Sequence, residues 1–164
     1  MHRRYSLSDF IGVTCRAVAA DWELLVKIRA EALKALEAAR NAKRINSSLE
    51  AKVNFELFTA AAEAQFLSTL RKYAAWLPGL LIVSQVGIPA DSAGQMRTRG
   101  LHGDSYRSEV FPGLAVRVIA AAGTKCERCW NYSTHVGENT RYPGICERCS
   151  EALAEIEGLE FARS

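Results

Sequence analysis

Cys126, Cys129, Cys146 and Cys149 are spaced as two C-x2-C pairs separated by sixteen residues. Each pair lets one tight turn aim two sulfurs at a single point, and two such pairs fill the four tetrahedral positions that Zn²⁺ prefers. With every position taken by a protein ligand, none is left for water, so the expected role of one bound ion is structural rather than catalytic. A tetrathiolate set also accepts iron, and ligand type alone does not separate the two metals. Disulfides are the other alternative. An odd total of five cysteines, with no secretory segment before them, argues against that pairing.

The residues between the thiols suggest a use for such a site. Trp130, Tyr132, His135 and Tyr142 are interleaved with Lys125, Arg128, Arg141 and Arg148. Flat rings beside guanidinium groups can stack unpaired bases and hold phosphates, the usual means of reading single-stranded RNA loops. The alternative is that Trp130 and Tyr142 cover the metal, because so small a loop has little other core. Glu127, Glu138 and Glu147 nearly cancel the local positive charge, so counterion release from this module alone should contribute modestly to affinity.

At 164 residues the chain is long enough for one full core plus a small appended module. A net charge of +3 is compatible with a nucleic-acid partner without demonstrating one. Nothing resembles a secretory h-region and no apolar run is long enough to span a bilayer, so a cytoplasmic location is expected. Cys15, the fifth thiol, reads as a small apolar residue with nothing nearby to activate it.

These thiols need elements to position them. Residues 1–20 show no strong period, though Phe10, Ile11 and Val13 suggest one short buried element. From Asp21, which the spacing makes a helix cap, Trp22, Leu25, Val26, Ala32, Leu33, Leu36 and Ala39 fall along one side of a helix. The other side carries Glu23, Lys27, Glu31, Lys34, Arg40 and Lys43, read as a solvated face. Arg40, Lys43 and Arg44 at its far end are candidates for phosphate contact, and cations there also suit the helix dipole. Asn46, Ser47 and Ser48 break the helix. Val53, Phe55 and Leu57 then alternate with Lys52, Asn54 and Glu56, as in a half-buried strand.

A second helix is expected from Thr59 through Phe66, Leu67, Leu70, Tyr73 and Ala74, with Pro78 and Gly79 stopping it. Residues 80–86 read as a buried strand, and Pro89 to Glu109, which includes Arg97, Arg99, His102 and Arg107, as a loop or partly disordered insertion. Residues 113–122 form another strand, with Leu114, Val116, Val118 and Ala120 on one face, leading into the first thiols. Residues 151–157 add a closing helical turn or two. This order argues for an α+β fold: helices packed on a small β-sheet, followed by a four-cysteine zinc ribbon or knuckle module.

Five stretches carry a resemblance. Trp22-Glu23-Leu24-Leu25, Ile28-Arg29, Lys34 to Arg40, Ser47 to Val53 and Lys125-Cys126-Glu127-Arg128-Cys129-Trp130-Asn131-Tyr132 together resemble the C-terminal part of bacterial isoleucyl-tRNA synthetase. The resemblance implies that residues 1–50 end a helical anticodon-binding domain. Residues 51–122 then form a small α/β junction with a flexible loop at about 89–109, and 123–164 a zinc-binding module and tail. It further implies that the four cysteines hold one zinc ion, that Arg128 and Trp130 touch anticodon bases, with Tyr132 beside them, and that the partners are the isoleucine tRNA and the remainder of the synthetase. Asn46 stands where the family usually has Gly before two serines; Asn tolerates a left-handed turn. The loop at 89–109 also looks longer than usual for the family.

A class I synthetase activates its amino acid with ATP on a nucleotide-binding fold bearing His-x-Gly-His-like and Lys-Met-Ser-Lys-Ser-like signatures. Neither occurs here, so by itself this chain is not expected to form aminoacyl-adenylate. Two other classes remain open. One is a zinc-ribbon adaptor that binds protein. The other is the C-terminal finger of a formamidopyrimidine-type DNA glycosylase, whose N-terminal proline nucleophile followed by glutamate is not matched by Met1-His2-Arg3.

Overall fold

The computed structural model describes residues 7–89 and 103–161, and the side chains of 18–89 and 103–158. The first element is one long helix, α1 (Leu7–Asn41), so the expected start at Asp21 is corrected: helix runs through it. Asp21 is instead a tether. Its carboxylate accepts from Lys72 Nζ at 2.5 Å and Tyr73 Oη at 3.0 Å, and the Lys72 hydrogen bond holds it below its ordinary pKa. Phe10, Ile11, Val13 and Cys15 lie within α1, but their side chains fall outside the described ones.

The buried face of α1 is Leu25, Ile28, Ala32, Ala35, Leu36 and Ala39. Trp22 and Val26 are 56% and 47% exposed, because the phase that buries Leu25 and Ile28 turns them outward. Glu31, expected on the solvated face, is buried and satisfied, accepting from Lys34 Nζ at 2.8 Å and Tyr106 Oη at 3.2 Å. The helix ends in a Schellman turn: Lys43 is left-handed at φ 55°, Arg44 N–H donates to Ala39 O and Lys43 N–H to Arg40 O. Asn46 is not the left-handed residue; its N–H and amide donate to the Glu50 carboxylate. Because a left-handed L-residue costs about 1–2 kcal/mol and Lys43 is exposed, Lys43→Gly is expected to raise stability by about 0.5–1 kcal/mol. Urea unfolding at constant m-value checks this.

Ser47 caps a short 3-10 turn by accepting from Leu49 N–H. Strand β1 (Ala51–Leu57) follows with the expected alternation, except that Glu56 is also buried, accepting from Ser105 Oγ at 2.8 Å. Thr59 caps α2 (Ala60–Lys72) by accepting from Ala62 N–H. Here the expected Pro-Gly stop is corrected: α2 ends at Lys72, and Pro78 and Gly79 lie inside α3 (Leu77–Leu81). Proline fits a first helical turn, where its missing N–H has no intrahelical partner to lose.

The run from Leu80 to Val86 is not one strand. Leu80 and Leu81 belong to α3, Ile82 takes a left-handed turn at φ 57°, and β2 is only Gln85–Gly87. Of the presumed loop, residues 90–102 lie outside the described residues, and Tyr106–Arg107 form β3, too short to show a period. The long strand β4 (Leu114–Ala120) then returns beside β1. The sheet order is β2-β1-β4-β3, parallel between β1 and β2 and antiparallel elsewhere. Opposite Val53, Phe55 and Leu57 stand Val118, Val116 and Leu114. All six are buried, whereas Ala120 at the strand end is exposed. These six share one core with the inward face of α1 and with Phe66, Leu70, Leu77 and Leu81.

Beyond the sheet, β5 (Thr124–Lys125) and β6 (Tyr132–Ser133) pair as a hairpin, and α4 (Glu147–Phe161) is longer than the turn or two expected. Among the described residues no helix is long and apolar enough to cross a membrane. Helices on a small mixed sheet, followed by the four-cysteine module, are the α+β architecture expected.

Candidate metal centre and nucleic-acid interface

The hairpin builds the first knuckle. Cys126 N–H donates to Asn131 O at 2.8 Å and Trp130 N–H to Cys126 O at 2.9 Å, folding residues 126–131 into a loop that turns Cys126 and Cys129 the same way. So tight a reversal holds Trp130 in the left-handed region at φ 65°, unusual for a bulky side chain. At the hairpin base, a Cβ on Gly123, itself at φ 93°, would sit 2.2 Å from Ser133 O.

The second knuckle is a helix start. Cys146 stands immediately before α4 and Cys149 in its first turn, with Cys149 and Ser150 N–H both donating to Cys146 O at 3.0 Å. Glu127 N–H donates to Gly144 O at 3.0 Å and joins the two knuckles. A Cβ on Gly144 would meet the Glu127 carboxylate at 2.3 Å, so a side chain there would displace that exposed carboxylate.

All four sulfurs therefore converge within 4.8 Å of one another. A tetrahedral ion with metal–sulfur bonds near 2.3 Å requires sulfurs about 3.8 Å apart, and Cys129 Sγ lies 3.7 Å from Cys146 Sγ. Cys126, Cys146 and Cys149 are buried. The donor set fits one zinc ion with no open position.

Local electrostatics prepare the thiolates unequally. Burial opposes ionisation of Cys126, but the amides of Cys129, Cys146 and Arg128 outweigh it and bring the thiol down to about 6. Burial dominates at Cys146 and pushes it up to about 12. A divalent ion would reverse that penalty, because a coordinating thiol is deprotonated outright. Four thiolates around Zn²⁺ leave two negative charges, and the Arg148 guanidinium beside the Cys129 sulfur offsets part of them.

Trp130 does not cover the metal cluster. Val136 and Ile145 pack against the sulfurs, while the Trp130 side chain is 60% exposed, with the Lys125 ammonium 5.4 Å from its ring centroid. Arg128 is exposed beside it and Tyr132 half-buried in β6. Tyr142 turns away, its hydroxyl bonded to Glu157, and His135 pairs with Glu138 at 2.9 Å. The cations at and just beyond the end of α1 are separately engaged: Arg40 with Glu37 and Ser48, Arg44 with Asp104 at 3.0 Å.

Ser84 is a residue that sequence reasoning missed. Its hydroxyl donates to Leu49 O at 2.5 Å and accepts from Tyr132 N–H at 2.7 Å, docking the hairpin on the sheet body. Gln85 adds a reciprocal pair with the backbone of Ala122. A lone Ser-Gln after an apolar run carries no signal of such contacts.

Comparison with known proteins agrees with this geometry. Residues 123–152 match the family described as the zinc finger found in FPG and IleRS. The isoleucine--tRNA ligase of Syntrophotalea carbinolica is 42% identical over 134 residues, 82% of this chain and 13% of that protein. That of Gloeobacter violaceus is 43% identical over 133 residues, 81% of this chain and 12% of that protein. The chloroplastic/mitochondrial isoleucine--tRNA ligase of Arabidopsis thaliana is 38% identical over 137 residues, 80% of this chain and 12% of that protein. The chain thus spans about one-eighth of the length of these relatives. Its similarity to them extends well beyond the finger.

Proposed function

Because this chain is related over four-fifths of its length to the isoleucine--tRNA ligases and carries their zinc finger, we propose that it is the tRNA-binding portion of an isoleucyl-tRNA synthetase. It recognises the anticodon arm through the zinc module and is not catalytic alone; ATP belongs to the catalytic domain of the whole enzyme. One structural zinc ion on Cys126, Cys129, Cys146 and Cys149 holds both knuckles in place. The reading divides the chain into the end of a helical anticodon-binding domain (1–50), an α/β junction (51–122) and the zinc module (123–164), in a cytoplasmic enzyme.

The observation that carries this reading is Trp130. An exposed indole held on a rigid, metal-pinned turn loses little entropy when a base stacks on it. Lys125 and Arg128 stand on the same knuckle for the adjoining phosphates, and Tyr132 follows at its base. Arg40, Lys43 and Arg44 are the more distant backbone contacts, with Arg40 and Arg44 already oriented by their carboxylate partners. The remainder of the synthetase is the second partner, and the Val18, Trp22 and Val26 stripe on α1, 47–56% exposed, suits an apolar helix from it.

Trp130→Ala is expected to weaken binding of an isoleucine tRNA anticodon stem-loop about 5- to 100-fold, the loss of one stacked base. Affinity of the parent chain should also fall as salt rises. Titration by fluorescence anisotropy at two salt concentrations checks both. Absence of saturable binding at low salt, or equal affinity of parent and variant, overturns the reading; the former is what an adaptor that binds only protein would give.

A further inference from the structure

A groove of about 520 Å³ runs between the turn after α2 and the zinc module. Ala75, Trp76 and Gly79 line one side, and Tyr132, His135 and Arg148 the other. Trp76 is 75% exposed, the most exposed of the large apolar side chains described. A single exposed ring needs no explanation in itself. This one lines a cleft of the size that takes a small ligand, and the facing wall includes Asn131 and Tyr132, which directly follow Trp130.

We infer that this groove receives a second unpaired nucleobase of the same RNA, stacked on Trp76, beside the one on Trp130. The inference rests on the proposed function and extends it by a site. The chemistry of the walls favours a base over a phosphate. Glu147, held there by Ser133 Oγ at 2.8 Å, offsets Arg148, and Glu138, paired with His135 at 2.9 Å, adds a second carboxylate beside the groove. With no excess of positive charge on its walls, the groove gives a phosphodiester no net attraction. It does include Trp76, whose indole any base can stack on, and Asn131 and Thr134, residues whose side chains can donate to or accept from a base edge. Because β6 forms part of the wall and is docked on the body through Ser84, metal-dependent order of the finger also sets the width of the groove.

The test uses the full zinc-loaded chain and an anticodon stem-loop carrying single abasic substitutions. Trp76→Ala is expected to weaken binding about 5- to 100-fold, with Trp76→Phe restoring part of the loss. One abasic loop position should make Trp76→Ala silent, and a different position should make Trp130→Ala silent. In a Trp22→Phe, Trp130→Phe variant, RNA should quench the Trp76 emission. Normal affinity of Trp76→Ala while Trp130→Ala remains impaired would overturn this inference and leave the proposed function standing. Loss of affinity in Trp76→Ala that no abasic position cancels would also overturn it. If neither indole matters, both readings fall.

Discussion

Removing the metal is expected to unfold residues 123–152 while the sheet body stays folded. The core of the module consists of the four cysteines with Val136 and Ile145, too little apolar surface to offset the entropy of ordering thirty residues. Without a cation, burial keeps the Cys146 thiol protonated, pushed up to about 12, so the clustered sulfurs contribute packing and no ionic attraction. Apparent binding free energy at structural zinc sites is on the order of 10–16 kcal/mol near neutral pH, and it is folding free energy. Among the described residues the body has its own core of twenty-one buried apolar side chains, none of them a zinc ligand.

A chelator, or Cys126→Ser, should therefore abolish stoichiometric zinc and remove amide protection from β5, β6 and the start of α4. Protection of β1 and β4 should persist. Elemental analysis of freshly purified, reduced protein, followed by hydrogen exchange, measures both. Protein that holds no metal yet keeps its knuckle amides protected would contradict this account of the module. Loss of zinc should also eliminate RNA binding through Trp130, since the two backbone hydrogen bonds that close its left-handed turn are expected to open with the knuckle.

Phe66→Ala is the second large effect expected, about 3–5 kcal/mol of destabilisation. Phe66 is fully buried on α2 and meets Phe111 edge-on, ring centroids 5.0 Å apart at 77°. Truncation loses the transfer energy of the ring and leaves a cavity, because α2 is fixed at one end by its Thr59 cap and at the other by the Asp21, Lys72 and Tyr73 cluster. Against a typical total of about 5–15 kcal/mol, that is a large share. Should the alanine variant fail to fold, Phe66→Leu, expected to cost about 1 kcal/mol, keeps the measurement possible by urea unfolding. A loss below about 1 kcal/mol for Phe66→Ala would mean that the α2 face is not the core described.

The metal centre and much of the fold were legible in the amino-acid sequence, for local reasons. Two C-x2-C pairs constrain their own sulfurs through short turns, whatever surrounds them. Thr59 caps a helix through an amide three residues on, and the alternation of Val53, Phe55 and Leu57 follows from the pleat of a strand. What tertiary structure decided were the contacts made across long separations. The buried face of α1 includes Ile28 and Ala35 and excludes Trp22 and Val26 because the sheet beneath selects among nearly equivalent helical phases. Asp21 looked like a cap and became a tether because Lys72 and Tyr73, some fifty residues away, come to lie beside it. Glu31 looked solvated and was buried because Tyr106 and Lys34 satisfy it. Periodicity also could not separate Leu80 and Leu81 in a helical turn from Gln85 and Val86 in a strand, since a short apolar run fits either. The groove beside Trp76 forms where Ser84 and Gln85 hold the knuckle and its lead-in against the body, hydrogen bonds that no spacing along the chain encodes.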